Sequence, residues 1–418
     1  MTIELASALR IRLVEQLEAK LKDATVYADY AISLWSIRGI SEIKSLPDKG
    51  SLADQLNRYI GDRPLATFVE GELDANFSGP GINYEAKEKP LTSYHGYDNI
   101  KSVAEGLVES LVSLPWSYQV TVKLPDPLGL RVLQEFGAFE LSPRHRIVSG
   151  AMLEEEFPQA HRDLGLAARM MGSKYAPPWD ENSAYLQVAI SGYFGAAQSE
   201  PFLAARDDVL TFYGLGLAFG LFVQVPASRL ARLNESPFYV HRLTDEGWCQ
   251  RATVDMPDQY EAGISTLAMH PGAAEDPAVL REKLSRISSI FRSNEGRSLA
   301  LSARWLFESH CGRDALLQYI QAAVAIEVLL GDEEADPSVG LTTLMANRCA
   351  YLIAGTQAAR SNLLKLFRDI YKVRSKIVHR GKSRLSSEEM NLFGALQYLL
   401  QMVIDKEQRL LERGEEKV

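Results

Sequence analysis

The chain has 418 residues, 46% of them apolar and 24% charged, which gives two or three domains enough apolar material for their own cores and excludes wholesale disorder, a collagen-like repeat and a disulfide scaffold. Lys and Arg total 45 against 54 Asp and Glu, a net charge of -9 with a pI near 5.5. That balance excludes a protein that coats nucleic acid over its whole surface, while leaving room for a local basic site.

The first twenty residues mix Glu4, Arg10, Arg12, Glu15 and Lys20 with apolar positions, so they read as an amphipathic helix and not as a secretory signal. A second helix is expected from Asp98 as N-cap, with Ile100, Val103, Leu107, Leu111 and Val112 on one side, ending before Pro115. Trp116, Tyr118, Val120, Val122 and Leu124 then alternate with polar residues up to Pro125, the period of a half-buried strand. Tyr185–Ile190 and Phe238–Leu243 are further strand candidates, and 76–83 and 172–182, rich in Gly, Pro, Asn and Asp, read as loops. Between Val209 and Ser228 lies an uncharged stretch, but Gly214, Gly216, Gly220, Gln224 and Pro226 interrupt it. A buried helix or strand pair packed closely through its glycines is expected there, and no membrane span.

Breakers crowd between Asp255 and Asp276, and a domain boundary is placed there. Beyond it helices are expected at about 277–292, 296–311, 314–330, 338–353, 357–379 and 387–411, the last opened by a capping box of Ser386 and Glu389. Ala323, Ile326, Leu329 and Leu330 form one apolar stripe and Leu363, Leu366, Phe367, Ile370 and Val373 another. The expected architecture is mixed: an N-terminal α+β domain over residues 1–265, followed by an all-α helical bundle over 275–418.

Charge is distributed unevenly. Lys365, Arg368, Lys372, Arg374, Lys376, Arg380, Lys382 and Arg384 face only Asp369 within their segment, a local net charge of +7 that leaves -16 for the rest of the chain. Such a segment suits a phosphate backbone, and a solvated helix face reads the same from charge alone. Within it Arg374 precedes His379 by five residues near a helix end that Gly381 would cap. Five residues turn a helix so that the two side chains point about 140° apart, so a tight pair needs a distorted helix end, a swung guanidinium arm or a second copy of the helix across a two-fold axis. Unsatisfied carbonyls in the last turn favour a protonated histidine, which suits an acid role.

These residues support a resemblance. The segment from about Leu299 to Leu411, through "LLQYIQAAVAIEVLLGDE", "LTTLMANRCAYLIAG" and above all "LFRDIYKVRSKIVHRG", resembles the HEPN domains, most closely their ApeA-like branch. The resemblance implies a four- or five-helix HEPN-type bundle that pairs as a homodimer, or a higher homo-oligomer, to assemble a metal-independent endoribonuclease site from two Arg/His motifs. It implies the setting of an RNA-cleaving toxin or antiphage effector, with RNA as the partner. Arg374 and His379 match the motif arginine and histidine, Ser375 its polar position, Glu327 an acidic residue on an earlier helix, and Arg348 a recurring arginine without an assigned role.

The chemistry suits these residue types. Metal-independent cleavage needs a base for the 2′-OH, an acid for the departing 5′-oxygen and fixed positive charge on the phosphorane. His379 would serve the proton transfers, Arg374 would grip phosphoryl oxygens in bidentate fashion, and Glu327 would orient either group. Lys372, Lys376, Arg380, Lys382 and Arg384 would hold the flanking RNA backbone. The alternative is a non-catalytic HEPN module for dimerisation and for docking RNA or a partner.

Other constellations carry less. Gly214, Gly216 and Gly220 miss the dinucleotide fingerprint, no phosphate-binding G-x-x-x-x-G-K-[ST] loop occurs, and the remaining histidines show no metal-ligand spacing. No cofactor or metal is expected. His310-Cys311 is expected to end a helix. Cys249, Cys311 and Cys349 lie far apart, as in a chain kept in a reducing compartment, so a cytoplasmic location is expected. The N-terminal portion is expected to recognise a trigger, a protein partner or the RNA, mainly through its loops.

Overall fold

The computed structural model describes residues 3–33, 35–43, 46–47, 49–125, 129–159, 178–195, 198–225, 237–331 and 340–415. Residues 172–177 of one expected loop, 226–228 of the uncharged stretch and 338–339 of one expected helix lie outside them. The chain is mixed α+β and 58% helical, with a helical C-terminal region. Contacts divide it into two compact units, neither continuous in sequence.

The first unit comprises 1–119, 189–205 and 241–251. Its helices are α1 (Ser7–Leu21), α2 (Ser51–Ile60), α3 (Pro64–Asn76) and α4 (Ile100–Val112), and β1 (Thr25–Tyr27), β2 (Ala31–Ile32) and β3 (Lys89–Pro90) form a small antiparallel sheet in the order β2-β1-β3. Leu13, Leu17 and Leu21 make the buried stripe of α1, which packs on α4. The cap of α4 is Asn99, whose side chain accepts from Ser102 N at 3.1 Å, one residue after the expected Asp98. The unit's centre is polar: buried Glu72 takes Arg251 Nη2 at 2.5 Å and the Tyr193 hydroxyl at 3.2 Å. Arg242 lies 3.2 Å from the centroid of the Trp116 ring.

The second unit comprises 120–188, 206–240 and 252–418. A six-stranded sheet has the order β10-β9-β4-β7-β6-β5, with β4 at Trp116–Lys123, β5 at Phe139–Ser142, β6 at His145–Ser149, β7 at Ala184–Gly192, β9 at Phe238–Thr244 and β10 at Gly247–Val254. Ile147 stands opposite Leu186 in the antiparallel β6–β7 pair. The three strands expected from alternation all form, because their inward positions, Val120, Leu186 and Val240 among them, are fully enclosed. β4, β7, β9 and β10 each contribute residues to both units.

Between and after these strands come α5 (Gly129–Phe136), α6 (Gly150–Glu156), α7 (Glu200–Ala218), β8 (Phe222–Gln224), α8 (Asp258–Ile264), β11 (Leu267–Met269) and α9 (Pro271–Glu275). The region 255–276, expected to be irregular, thus holds two short helices and a strand that pairs with β8. Elements of three to seven residues are too short for periodicity to mark them. The expected boundary between 265 and 275 falls inside the second unit.

Six helices follow: α10 (Pro277–Arg292), α11 (Arg297–Glu308), α12 (Ala315–Leu330), α13 (Leu341–Ile353), α14 (Gln357–Arg380) and α15 (Ser387–Glu415). α11 and α12 approach closely enough for Ser302 Oγ to donate to Ala325 O at 2.8 Å, and Arg286 of α10 binds Asp405 of α15 at 2.7 Å.

The uncharged stretch becomes α7, a turn and β8. Among the described residues no helix is long and apolar enough to cross a membrane. Its glycines act through close approach: a Cβ on Gly214 would run into the Ala303 carbonyl of α11, and one on Gly216 into the Phe222 ring. Tyr213 and Phe307 pack beside that contact with ring centroids 5.2 Å apart. Gly214→Ala should therefore force α7 and α11 apart and cost about 2–4 kcal/mol, read as a lower urea midpoint. An unchanged midpoint would contradict this packing.

Candidate functional site

The expected site residues sit on three helices of the second unit, except Lys382 and Arg384, which lie in the connection after α14. Asp314 caps α12 by accepting from Leu316 N at 2.9 Å, and Ala322, Ala323, Ala325, Ile326 and Leu330 bury its inner face. Thr356 caps α14, whose Phe367, Ile370, Tyr371 and Val373 are buried, and α14 ends as expected at Gly381 with φ 61°. Tyr319 of α12 donates its hydroxyl to Ile370 O at 2.9 Å, fixing α12 against α14 one turn before Arg374.

Arg374 turns inward. Its Nη2 donates to Glu327 Oε2 at 3.4 Å, and its Nε stands 3.2 Å from Oε1, enclosed and out of line for a hydrogen bond. The side chains are 27% and 24% exposed, so water reaches the pair. Tyr371 completes the cluster: burial first, and then the charge and hydrogen bonding of Glu327, push its hydroxyl pKa well up and keep the proton on.

A second cluster gathers around Glu389 of α15. Ser386 N donates to Glu389 Oε2 at 2.8 Å while Ser386 Oγ accepts from Glu389 N at 3.3 Å, the reciprocal capping box. Lys382 lies 2.9 Å and Lys376 3.7 Å from the same carboxylate. The Ser386 amide first, and then Lys382, hold the Glu389 carboxyl down to about 2.

The structure thus joins Arg374 to Glu327 and Tyr371, and Lys376 to Lys382, but it does not join Arg374 to His379 within one chain. His379, Ser375, Arg380 and Arg384 are exposed, and Lys372 meets Asp369 at 2.8 Å. Arg348 has a local role, donating through Nη1 to Leu330 O at 3.2 Å and Gly331 O at 3.4 Å at the end of α12. A cavity of about 460 Å³ opens nearby between Leu330, Arg348, Tyr351 and Glu407 and touches none of the other expected site residues.

Two features had no sequence signal. Ser142 Oγ lies 2.7 Å from His145 Nδ1, and His145 Nε2 lies 3.0 Å from Asp208 Oδ2, with the imidazole stacked on Phe291 at 4.2 Å. Ser142 and His145 are buried, and Ser142 Oγ also accepts from Arg144 N at 3.1 Å. The relay therefore fastens the β5–β6 hairpin to α7 and presents no exposed nucleophile. His310, in the turn after α11, takes Gln397 Nε2 against its Nδ1 at 3.2 Å, and burial holds its imidazole down to about 4. Among the described residues no three His, Cys, Asp or Glu side chains converge as metal ligands. No family model, curated protein or solved structure matches this chain.

Two stability measurements check this geometry. Glu327→Ala leaves Arg374 without its partner and should cost about 1–2 kcal/mol, less than for a fully buried pair because both side chains touch water. In a double-mutant cycle with Arg374→Ala the losses should be clearly less than additive, whereas additive losses would mean that the pair is not formed. Glu389→Gln should cost about 1 kcal/mol at neutral pH through the weakened capping box. Because the folded carboxyl is depressed, the gap to wild type should be full above the ordinary glutamate range and close as pH falls toward about 2. A gap that stays constant through acid would contradict the depressed carboxyl.

Proposed function

We propose that this protein is a metal-independent endoribonuclease of the HEPN type, working as a homodimer in a bacterial toxin or antiphage defence role in the cytoplasm. The observation that carries the reading is the division of labour along α14. Arg374 is braced from inside by Glu327 and Tyr371, and His379 stands exposed in the last turn before Gly381. A side-chain pair that points about 140° apart on one helix leaves each protomer with an incomplete site. A second α14 across a two-fold axis would set a histidine beside an arginine from the other copy.

In that arrangement His379 takes the 2′-OH proton and, from the other protomer or through water, returns a proton to the 5′-oxygen. Arg374 neutralises the phosphorane as charge builds, and Glu327 keeps the guanidinium plane fixed in advance, which lowers the reorganisation needed at the moment of reaction. Arg380 and Arg384, exposed next to the motif in sequence, and Lys372 hold the backbone around the cleaved bond, with Lys376 and Lys382 adding positive charge from beside Glu389. The N-terminal portion, residues 1–265, supplies by this reading the recognition of a trigger, a protein partner or the RNA.

One observation favours a second reading. Arg374 is already engaged by Glu327, which fits a non-catalytic module that docks RNA or a partner.

The deciding experiment incubates wild type, Arg374→Ala and His379→Ala with total RNA in EDTA. Wild type should leave 2′,3′-cyclic phosphate ends, and each variant should lose at least about 100-fold in rate. Mixing the two variants should restore part of the activity, since a mixed dimer contains one intact Arg/His combination. Equal cleavage by all three proteins would remove the site assignment, and no cleavage by wild type would favour the docking module.

A further inference from the structure

Lys365, Arg368, Lys372, Ser375 and His379 are all exposed on α14 and recur every three or four residues. At 100° per residue they fall within a sector about 80° wide, forming a straight stripe about 21 Å long on the side away from Arg374. Exposed Ser361 extends it by one turn. No carboxylate falls inside the sector. Asp369 lies just beyond its edge, where it meets Lys372 at 2.8 Å in an ion pair whose lysine is 70% exposed. Solvent screens such a pair, and a phosphate displaces it readily. Lys365 and Arg368 make no ion pair among the described residues, whereas Lys376 and Lys382 are already committed to Glu389.

Besides Arg380 and Arg384, which stand exposed beside the motif, the cations of the segment without an ion pair among the described residues are therefore Lys365 and Arg368 of this stripe. A solvated helix face usually mixes charges of both signs. This face carries one sign only, with hydroxyls at Ser361 and Ser375 interleaved. One line of side chains follows one backbone, while a duplex is read through contacts on both of its strands across a groove.

We propose that this stripe is the track for a single RNA strand, whose phosphates lie along Lys365, Arg368, Lys372 and Ser375 and lead to His379 at its end. The identity of the strand as RNA rests on the nuclease reading, while the track itself rests on the stripe.

The test measures fluorescence anisotropy of labelled oligouridine with the full chain over a salt series, comparing wild type, His379→Ala, K365A/R368A/K372A and a control, K101A/R297A/R313A, that removes equal charge from exposed positions elsewhere. Each lost contact to a single strand removes about 0.7 from the slope of log K against log salt, so the stripe variant should lose about 2 in slope and roughly tenfold or more in affinity. The control should match wild type. A control that falls as far as the stripe variant, a stripe variant that binds like wild type, or a duplex that competes better than the single strand would each overturn the track.

Cleavage followed on the same samples separates the two ideas. Stripe-dependent binding by a protein that does not cleave keeps the track and removes the nuclease. Cleavage by wild type with unchanged binding in the stripe variant removes the track alone.

Discussion

The turn of α14 is the constraint on which the site depends. A helix rotates 100° per residue, so a single 24-residue segment turns Arg374 toward Glu327 of α12 and leaves His379 to solvent. Everything on the inward side is held by tertiary contacts: Tyr319 to the Ile370 carbonyl, Glu327 to Arg374, Tyr371 among buried neighbours. The outward side is left to solvent. The two residues therefore differ in kind, Arg374 held by its neighbours and His379 left to solvent. The proposed nuclease reading draws on that difference, because fixed positive charge is worth most when its orientation is already set, and a proton shuttle works best where substrate and water can reach it.

Much of this was legible in the sequence because it is local. The apolar stripe of α14 follows from Phe367, Ile370 and Val373, its end from Gly381, and the start of α15 from Ser386 and Glu389, each a signal contained within a few residues. The same locality explains the strands at Trp116, Ala184 and Phe238. What the sequence could not display depends on long separations. Asp208 reaches His145 across 63 positions and Arg251 reaches Glu72 across 179, with no spacing rule to connect them. The division into units was hidden for a related reason: β4, β7, β9 and β10 serve both units along one strand each, and alternation reports the burial of a strand but not which core it serves. The choice of partner for each cation was likewise invisible, since Glu389 claims Lys376 and Lys382 only once α14 and α15 lie side by side.

Electrostatics in the segment follow from the same packing. Of its eight cations, the ones that meet carboxylates do so in different surroundings. Glu389 is 10% exposed and already tied to its own helix start, so its hold on Lys382 is firm. Asp369 is 35% exposed beside a lysine at 70%, and such pairs contribute little. The exposed positive charge therefore runs along the outer face of α14 and continues to Arg380 and Arg384 beside the motif, a basic stretch within a net acidic chain.

The position of His379 adds a last constraint. The end of a helix carries roughly half a negative charge on its unsatisfied carbonyls, and on that ground alone a phosphate is poorly placed there. The αL residue Gly381 lets the chain leave the helix at once, and Arg380 and Arg384 stand exposed beside the end, so positive charge accumulates where the dipole is least favourable to an anion. On the proposed nuclease reading, an incoming phosphate would meet Arg380 and Arg384, which offset the helix end, before it reaches His379. A two-fold assembly of that kind would then have to divide the base and acid roles between two identical residues, so the substrate, which is not symmetric, would have to set which copy does which.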